Sequence, residues 1–157
     1  KKLAKAVGGG PSPGVANNVK GNVFENVIDS ASRRKGALPF FRAARRGGID
    51  AGLLEDGSVV LTEAKFANRL QFDDFTAITK NLKGNAREVL ESLPSNKDLP
   101  RAQKQQIRET LEKFLAGETP SNLRVRVVTG KIPVGPRLQN KLRKNVEGLP
   151  VDFEQIP

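Results

Sequence analysis

Asp56-Gly57 is the dipeptide that most constrains what this chain can fold into. It separates two strand-type runs, Leu53-Leu54 and Val59-Val60-Leu61. Asp-Gly favours the two-residue hairpin turn, in which both positions need φ > 0. With Asp56-Gly57 as the loop, Glu55 faces Ser58. Counting back along both strands then sets Leu54 opposite Val59, Gly52 opposite Leu61 and Asp50 opposite Glu63. Directly opposed residues hold their Cβ atoms about 4.5–5.5 Å apart, where like charges repel. Side chains alternate along a strand, so Glu63 shares its face with Lys65. The register therefore predicts Asp50, Glu63 and Lys65 on one face of one hairpin.

Two opposed carboxylates are tolerable in a strand pair when a divalent cation lies between them, and Mg²⁺ is held by one or two carboxylates plus water and substrate phosphate. Asp50, twelve intervening residues and then Glu63-Ala64-Lys65 resembles the D…(D/E)xK signature of the PD-(D/E)xK nuclease superfamily. The tight turn between the two halves is the context that such a motif requires. The alternative is a hairpin whose charges lie on a solvated face.

The chain has 157 residues, 37% of them hydrophobic, which suits one domain with one core. Net charge is +10 and uneven: residues 1–46 carry ten basic and two acidic side chains, 47–100 six and nine, and 101–157 eleven and six. Basic segments thus flank an acidic middle that contains the hairpin, a distribution suited to a polyanion held over a carboxylate cluster. The chain has no His and no Cys. Ser-His-Asp and Cys-His catalysis and imidazole or thiolate zinc sites are excluded, leaving carboxylates, lysines, hydroxyls and a hard metal. The absence of Tyr excludes a tyrosyl intermediate with DNA. No apolar run is long enough for a membrane-spanning helix, so no membrane anchor is expected.

Along the chain, residues 1–18 end in GGGPSPGVANN and read as a linker tail before a single domain over 19–157. Val23, Phe24, Val27, Ile28 and Ala31 recur at helical spacing within 19–34. Glu25 lies at the border of that stripe. Residues 37–43 read as a strand placed near an edge by Pro39. Asp73-Asp74 opens a helix running to about residue 93, weakened by Gly84. Asp98 and Pro100 open a second, stopped at Gly117. Leu123 to Thr129 alternates as a strand with Arg124 and Arg126 on the face away from Leu123, Val125 and Val127. A helix from Pro136 buries Leu138, Leu142 and Val146 and carries Arg137, Lys141 and Lys144 as a separate stripe, read as a solvated face. Residues 149–156 add a short strand.

This order of elements is similar to the αβββαβ core of the superfamily. The resemblance implies an α/β (α+β) fold with a restriction-endonuclease-like mixed central sheet flanked by helices, one inserted helix and a C-terminal addition. It further implies a metal-dependent endonuclease in which Asp50 and Glu63 bind Mg²⁺ or Mn²⁺, with the Ala64 carbonyl as a third ligand and Lys65 acting on the attacking water or the developing charge. Glu25 matches the position from which the first core helix supplies a glutamate, to a metal-bound water or a second ion. A solvated glutamate on a helix flank remains the other reading. Arg42, Arg45, Arg46, Arg124 and Arg126 are the expected nucleic-acid contacts.

The chain begins Lys1-Lys2 and contains no Met, so an excised C-terminal piece of a longer protein is expected. In that context it resembles the toxin domain of bacterial polymorphic toxins. The resemblance implies delivery into the cytoplasm of a target cell by a contact-dependent or type VI-like system, and an acidic cognate immunity protein as partner. DNA is the expected substrate. An RNA- or tRNA-cleaving enzyme on the same fold and a non-catalytic nucleic-acid-binding domain are the alternatives.

Overall fold

The hairpin forms where its turn dipeptide puts it. In the computed structural model, which describes residues 37–42 and 48–156, Asp56 and Gly57 take φ of 48° and 82°. They join β2 (Ala51–Glu55) to β3 (Ser58–Lys65). The pairs Glu55–Ser58, Leu54–Val59 and Gly52–Leu61 stand as the turn dictates, and the ladder ends at Ala51–Thr62. β1 (Ala37–Arg42) lies antiparallel to β2, whereas β4 (Leu123–Thr129) runs parallel to β3 and β5 (Val151–Gln155) parallel to β4. The result is a five-stranded mixed sheet in the order β1-β2-β3-β4-β5.

Four α-helices accompany this sheet among the described residues: α1 (Thr76–Thr79), α2 (Leu82–Ser92), α3 (Arg101–Leu115) and α4 (Pro136–Arg143). The fold is therefore mixed α/β, of the α+β kind, as expected. The expected linker tail and the helix over 19–34 lie outside the described residues. No helix among the described residues is long and apolar enough to cross a membrane.

The helix expected from Asp73 to about residue 93 is instead broken. A 3₁₀ turn (Phe72–Phe75) leads into α1, and the chain restarts as α2 after Asn81. The Asn81 N–H donates to the Thr76 carbonyl rather than to Ala77. The Ala77 carbonyl accepts from the buried Asn85 side chain at 2.9 Å. A side chain thus takes the acceptor that a continuous helix would have used. Gly84, read as the weak point, sits inside α2.

The core follows strand alternation. Leu54, Val59, Leu61, Val125 and Val127 join Ile78, Leu82, Val89, Ile107, Leu111, Phe114, Leu142 and Val146 in one buried cluster. The alternate residues Leu53, Val60, Ala51, Ala64 and Val128 are buried as well. β3 is therefore apolar on both faces over most of its length, the pattern of a central strand. Gly52 permits one close approach. β1 carries an extra residue between Pro39 and Phe41. A Cβ on Gly52 would stand 3.0 Å from Phe40 Cζ and from Phe41 Cβ, so the missing side chain is what lets the Phe40 ring lie over the sheet.

Candidate functional site

The parallel strands β3, β4 and β5 finish together, with Lys65 beside Thr129 and Thr129 beside Gln155. The carboxyl ends of parallel strands are where open α/β sheets place ligands. Glu63 lies two residues before this end. It shares its face with Val59 and Leu61 and retains only 4% exposure. A carboxylate so deep in a central strand carries a large desolvation cost, which an apolar residue at the same position would avoid. Lys65 Nζ stands 3.7 Å from Glu63 Oε2, with the lysine side chain 37% exposed. The pair therefore spans from the sheet interior to solvent.

Asp50 arrives from the other strand, but not directly opposite Glu63. Its N–H donates to the Thr62 carbonyl at 2.8 Å, although Thr62 is the ladder partner of Ala51. Asp50 and Ala51 thus both face Thr62, the arrangement of a β-bulge. Continued without the bulge, the ladder would have given the Ala64 N–H a backbone acceptor from residue 49. Asp50 Oδ2 takes that N–H instead, at 2.8 Å. The expected face-to-face repulsion of Asp50 and Glu63 is corrected accordingly: the bulge moves Asp50 off the register, and its charge is met by a main-chain donor.

Neighbouring contacts hold this end and the hairpin in place. A Cβ on Gly130 would stand 2.7 Å from the Phe66 ring, so the residue after Lys65 packs directly over the end of β4. At the far end of the hairpin, the Gly57 carbonyl accepts from Gln106 Nε2 at 2.7 Å and from Asn122 Nδ2 at 3.3 Å, and Asn122 also donates to Thr110. These positioning residues are 49 and 65 residues from Gly57 in sequence. No local pattern identifies them.

The expected nucleic-acid contacts divide. Arg42 ends β1 opposite Ala51, at the same end of the sheet as Asp50, and is exposed. It lines a groove of about 530 Å³ with Phe40, Phe41, Asn96 and Asp98. Arg124 and Arg126 both stand in ion pairs within the sheet. Arg124 donates to both carboxylate oxygens of Asp152 at 2.8 and 3.0 Å. Arg126, 9% exposed, donates to Glu55 at 2.6 and 3.0 Å and lies 3.6 Å from Asp152. Their face is indeed opposite Val125 and Val127; it is buried at Arg126 and about one-third exposed at Arg124. Burial pushes the Arg126 pKa down, and the hydrogen bonds to Glu55 with the charges of Glu55, Asp152 and Glu154 more than offset it, leaving the pKa above its ordinary value. Arg126 acts as a fixed internal cation. Glu25, Arg45 and Arg46 lie outside the described residues.

Among the described residues no group of three or more His, Cys, Asp or Glu side chains is placed to hold a metal. Asp50 and Glu63 alone are two hard oxygen donors, the type and number that Mg²⁺ takes when water and phosphate complete its shell. The residues present fit such an ion by donor chemistry. Compared with protein-family models, curated proteins and solved structures, the chain matches none.

Proposed function

We propose that this chain is a metal-dependent phosphodiesterase, a nuclease of the PD-(D/E)xK kind built on a restriction-endonuclease-like core. The observation that carries the reading is Glu63, a carboxylate buried in a central strand and paired with the half-exposed Lys65 at the carboxyl end of the parallel strands. Asp50 and Glu63 would hold Mg²⁺ or Mn²⁺, and bound metal supplies Lewis-acid polarisation of the phosphate and a water of lowered pKa. The protein's own part is positional. The Ala64 N–H fixes the Asp50 carboxylate, the β3–β4 ladder fixes Glu63, and Lys65 presents an ammonium to the attacking water and to the charge that develops on phosphate. Glu25 belongs to the same proposal, at a metal-bound water or a second ion.

DNA is the substrate this reading favours, with RNA the other polymer to test. The biological setting we propose is a toxin domain delivered into the cytoplasm of a target cell and neutralised by an acidic immunity protein. The excess of basic over acidic residues supports a polyanionic substrate and an acidic partner alike. Two observations favour a second reading, a nucleic-acid-binding domain without catalysis. Asp50 has a structural task of its own at Ala64, and Lys65 partly neutralises Glu63. The purified chain incubated with plasmid DNA and with total tRNA, in Mg²⁺, in Mn²⁺ and in chelator, decides between them. Metal-dependent strand cleavage is expected, the product identifies the polymer, and binding without turnover in any metal leaves the second reading.

A further inference from the structure

Arg124 is paired with Asp152 and Arg126 is buried against Glu55, so cations without a carboxylate partner are the better phosphate contacts. Arg137, Lys141 and Lys144 are spaced i, i+4 and i+7, which places them on one stripe of α4 and its C-terminal cap. All three are exposed. The opposite side of the helix is seated in the core by Leu142, with Val146 just beyond it. No carboxylate of the described residues pairs with any of the three, in contrast to Arg124 and Arg126. The helix itself, PRLQNKLR, contains no acidic residue. Lys141 is held in place, its ammonium 4.5 Å from the centre of the Phe72 ring, an arrangement that orients a cation without neutralising it.

The helix that carries this stripe packs on the sheet face of the candidate site, with the stripe on its outer side. Leu142 packs in the cluster that contains Val59, Leu61, Val125 and Val127, so α4 covers the sheet face on which Glu63 and Lys65 lie. The helix starts shortly after β4 ends at Thr129, the ladder partner of Lys65. At 1.5 Å per residue the stripe is about 10.5 Å long. That covers about three phosphate-to-phosphate steps of one strand at 3.4 Å of axial rise each, enough for each of the three cations to meet a phosphate of its own.

We infer that Arg137, Lys141 and Lys144 form a backbone-phosphate ridge that grips a nucleic-acid strand along the outer face of α4, without reading its bases. The inference rests on the nucleic-acid reading proposed above and does not need catalysis. A lone acidic protein partner is the competing occupant. The regular spacing and the absence of apolar side chains along the stripe favour a phosphate backbone over a protein, whose interface would have an apolar core.

Binding to a duplex oligonucleotide is measured in chelator as a function of salt, for wild type and for Arg137→Gln/Lys141→Gln/Lys144→Gln. Arg87→Gln/Arg101→Gln/Lys113→Gln, from α2 and α3, removes the same charge elsewhere. The slope of log K against log salt changes by about 0.9 for each phosphate that is no longer neutralised, so the ridge variant should give up about 2.7 of it and the control far less. Equal reductions in the two variants overturn the ridge, since bulk charge would then explain both. Equal competition by polyglutamate and by an unrelated duplex, relieved equally in the ridge variant, overturns it in favour of an acidic protein partner. Wild type that binds no nucleic acid overturns both the ridge and the reading beneath it. Binding abolished only in the ridge variant, with no metal-dependent cleavage by wild type, keeps the ridge and removes the nuclease.

Discussion

The Asp50 carboxylate accepts the Ala64 N–H at 2.8 Å, standing in for the backbone acceptor that β2 no longer supplies once its ladder ends at Ala51. This relationship separates the structural and catalytic demands on one residue. Asp50→Ala leaves the N–H without its partner, at a cost of about 1–3 kcal/mol. Asp50→Asn keeps an oxygen acceptor of the same reach, so its metal-free stability should fall by less. Two carboxylates in direct opposition would instead have made Asp50→Asn stabilising. Urea unfolding of the three proteins in chelator ranks them, and the expected order of stability is wild type, Asn, Ala.

Lys65→Ala is expected to abolish cleavage while leaving salt-sensitive binding nearly intact, because one cation among 27 basic residues is a small share of phosphate affinity. Plasmid cleavage and duplex binding measured on the same preparation check it. Cleavage at the wild-type rate would place the chemistry away from the Glu63–Lys65 pair.

Arg126 should behave as an internal residue. Removing one partner of a buried ion pair leaves the other charge uncompensated and costs about 3–5 kcal/mol, so Arg126→Ala should unfold at markedly lower urea. Its salt slope for nucleic acid should match wild type. Because the folded-state pKa is raised, the associated stability is fully present below the ordinary arginine pKa and is lost only as pH rises through the folded value. The deficit of Arg126→Ala relative to wild type should therefore be flat across neutral pH. A shallower salt slope for this variant would return Arg126 to the phosphate-binding set.

Gly52→Ala tests the packing that sets β1 against the hairpin. The added methyl would stand 3.0 Å from Phe40 Cζ and Phe41 Cβ. One of these aromatic residues must shift, and overpacking of this kind costs about 1–3 kcal/mol. Thermal unfolding checks the destabilisation, and Gly52→Ala combined with Phe40→Leu should recover part of it.

Local chemistry makes some of this architecture legible, and long-range pairing hides the rest. Asp56-Gly57 determines three ladder pairs of the hairpin because the turn type and strand alternation together leave no freedom of register. Leu123 to Thr129 is readable as a strand from alternation alone. The bulge at Asp50 is not, since it depends on where β2 departs from the sheet rather than on the residue types beside it. Arg124 and Arg126 lie on the face that alternation predicts, but their partners Asp152 and Glu55 are 28 and 71 residues away. Periodicity says which side a residue faces and nothing about what waits there. The same limit applies to Asn85, whose side chain divides α1 from α2 through a carbonyl eight residues earlier.

Metal binding by Asp50 and Glu63 has a thermodynamic signature independent of turnover. An ion that binds the native state alone stabilises it by mass action, by about 2.7 kcal/mol at a hundred times its dissociation constant. Wild type should therefore melt at higher temperature as Mn²⁺ is added, with the increase saturating once the site fills. Glu63→Gln removes one donor charge and retains the shape of the side chain, so it should lose most of the response, and Asp50→Asn should lose it too. Glu55→Gln serves as the control, because its carboxylate belongs to Arg126 on the other face of the sheet and its response should stay that of wild type. A thermal shift that survives both Glu63→Gln and Asp50→Asn would mean that the ion binds elsewhere, and Asp50 and Glu63 would then be explained by their pairing with Ala64 and Lys65 alone.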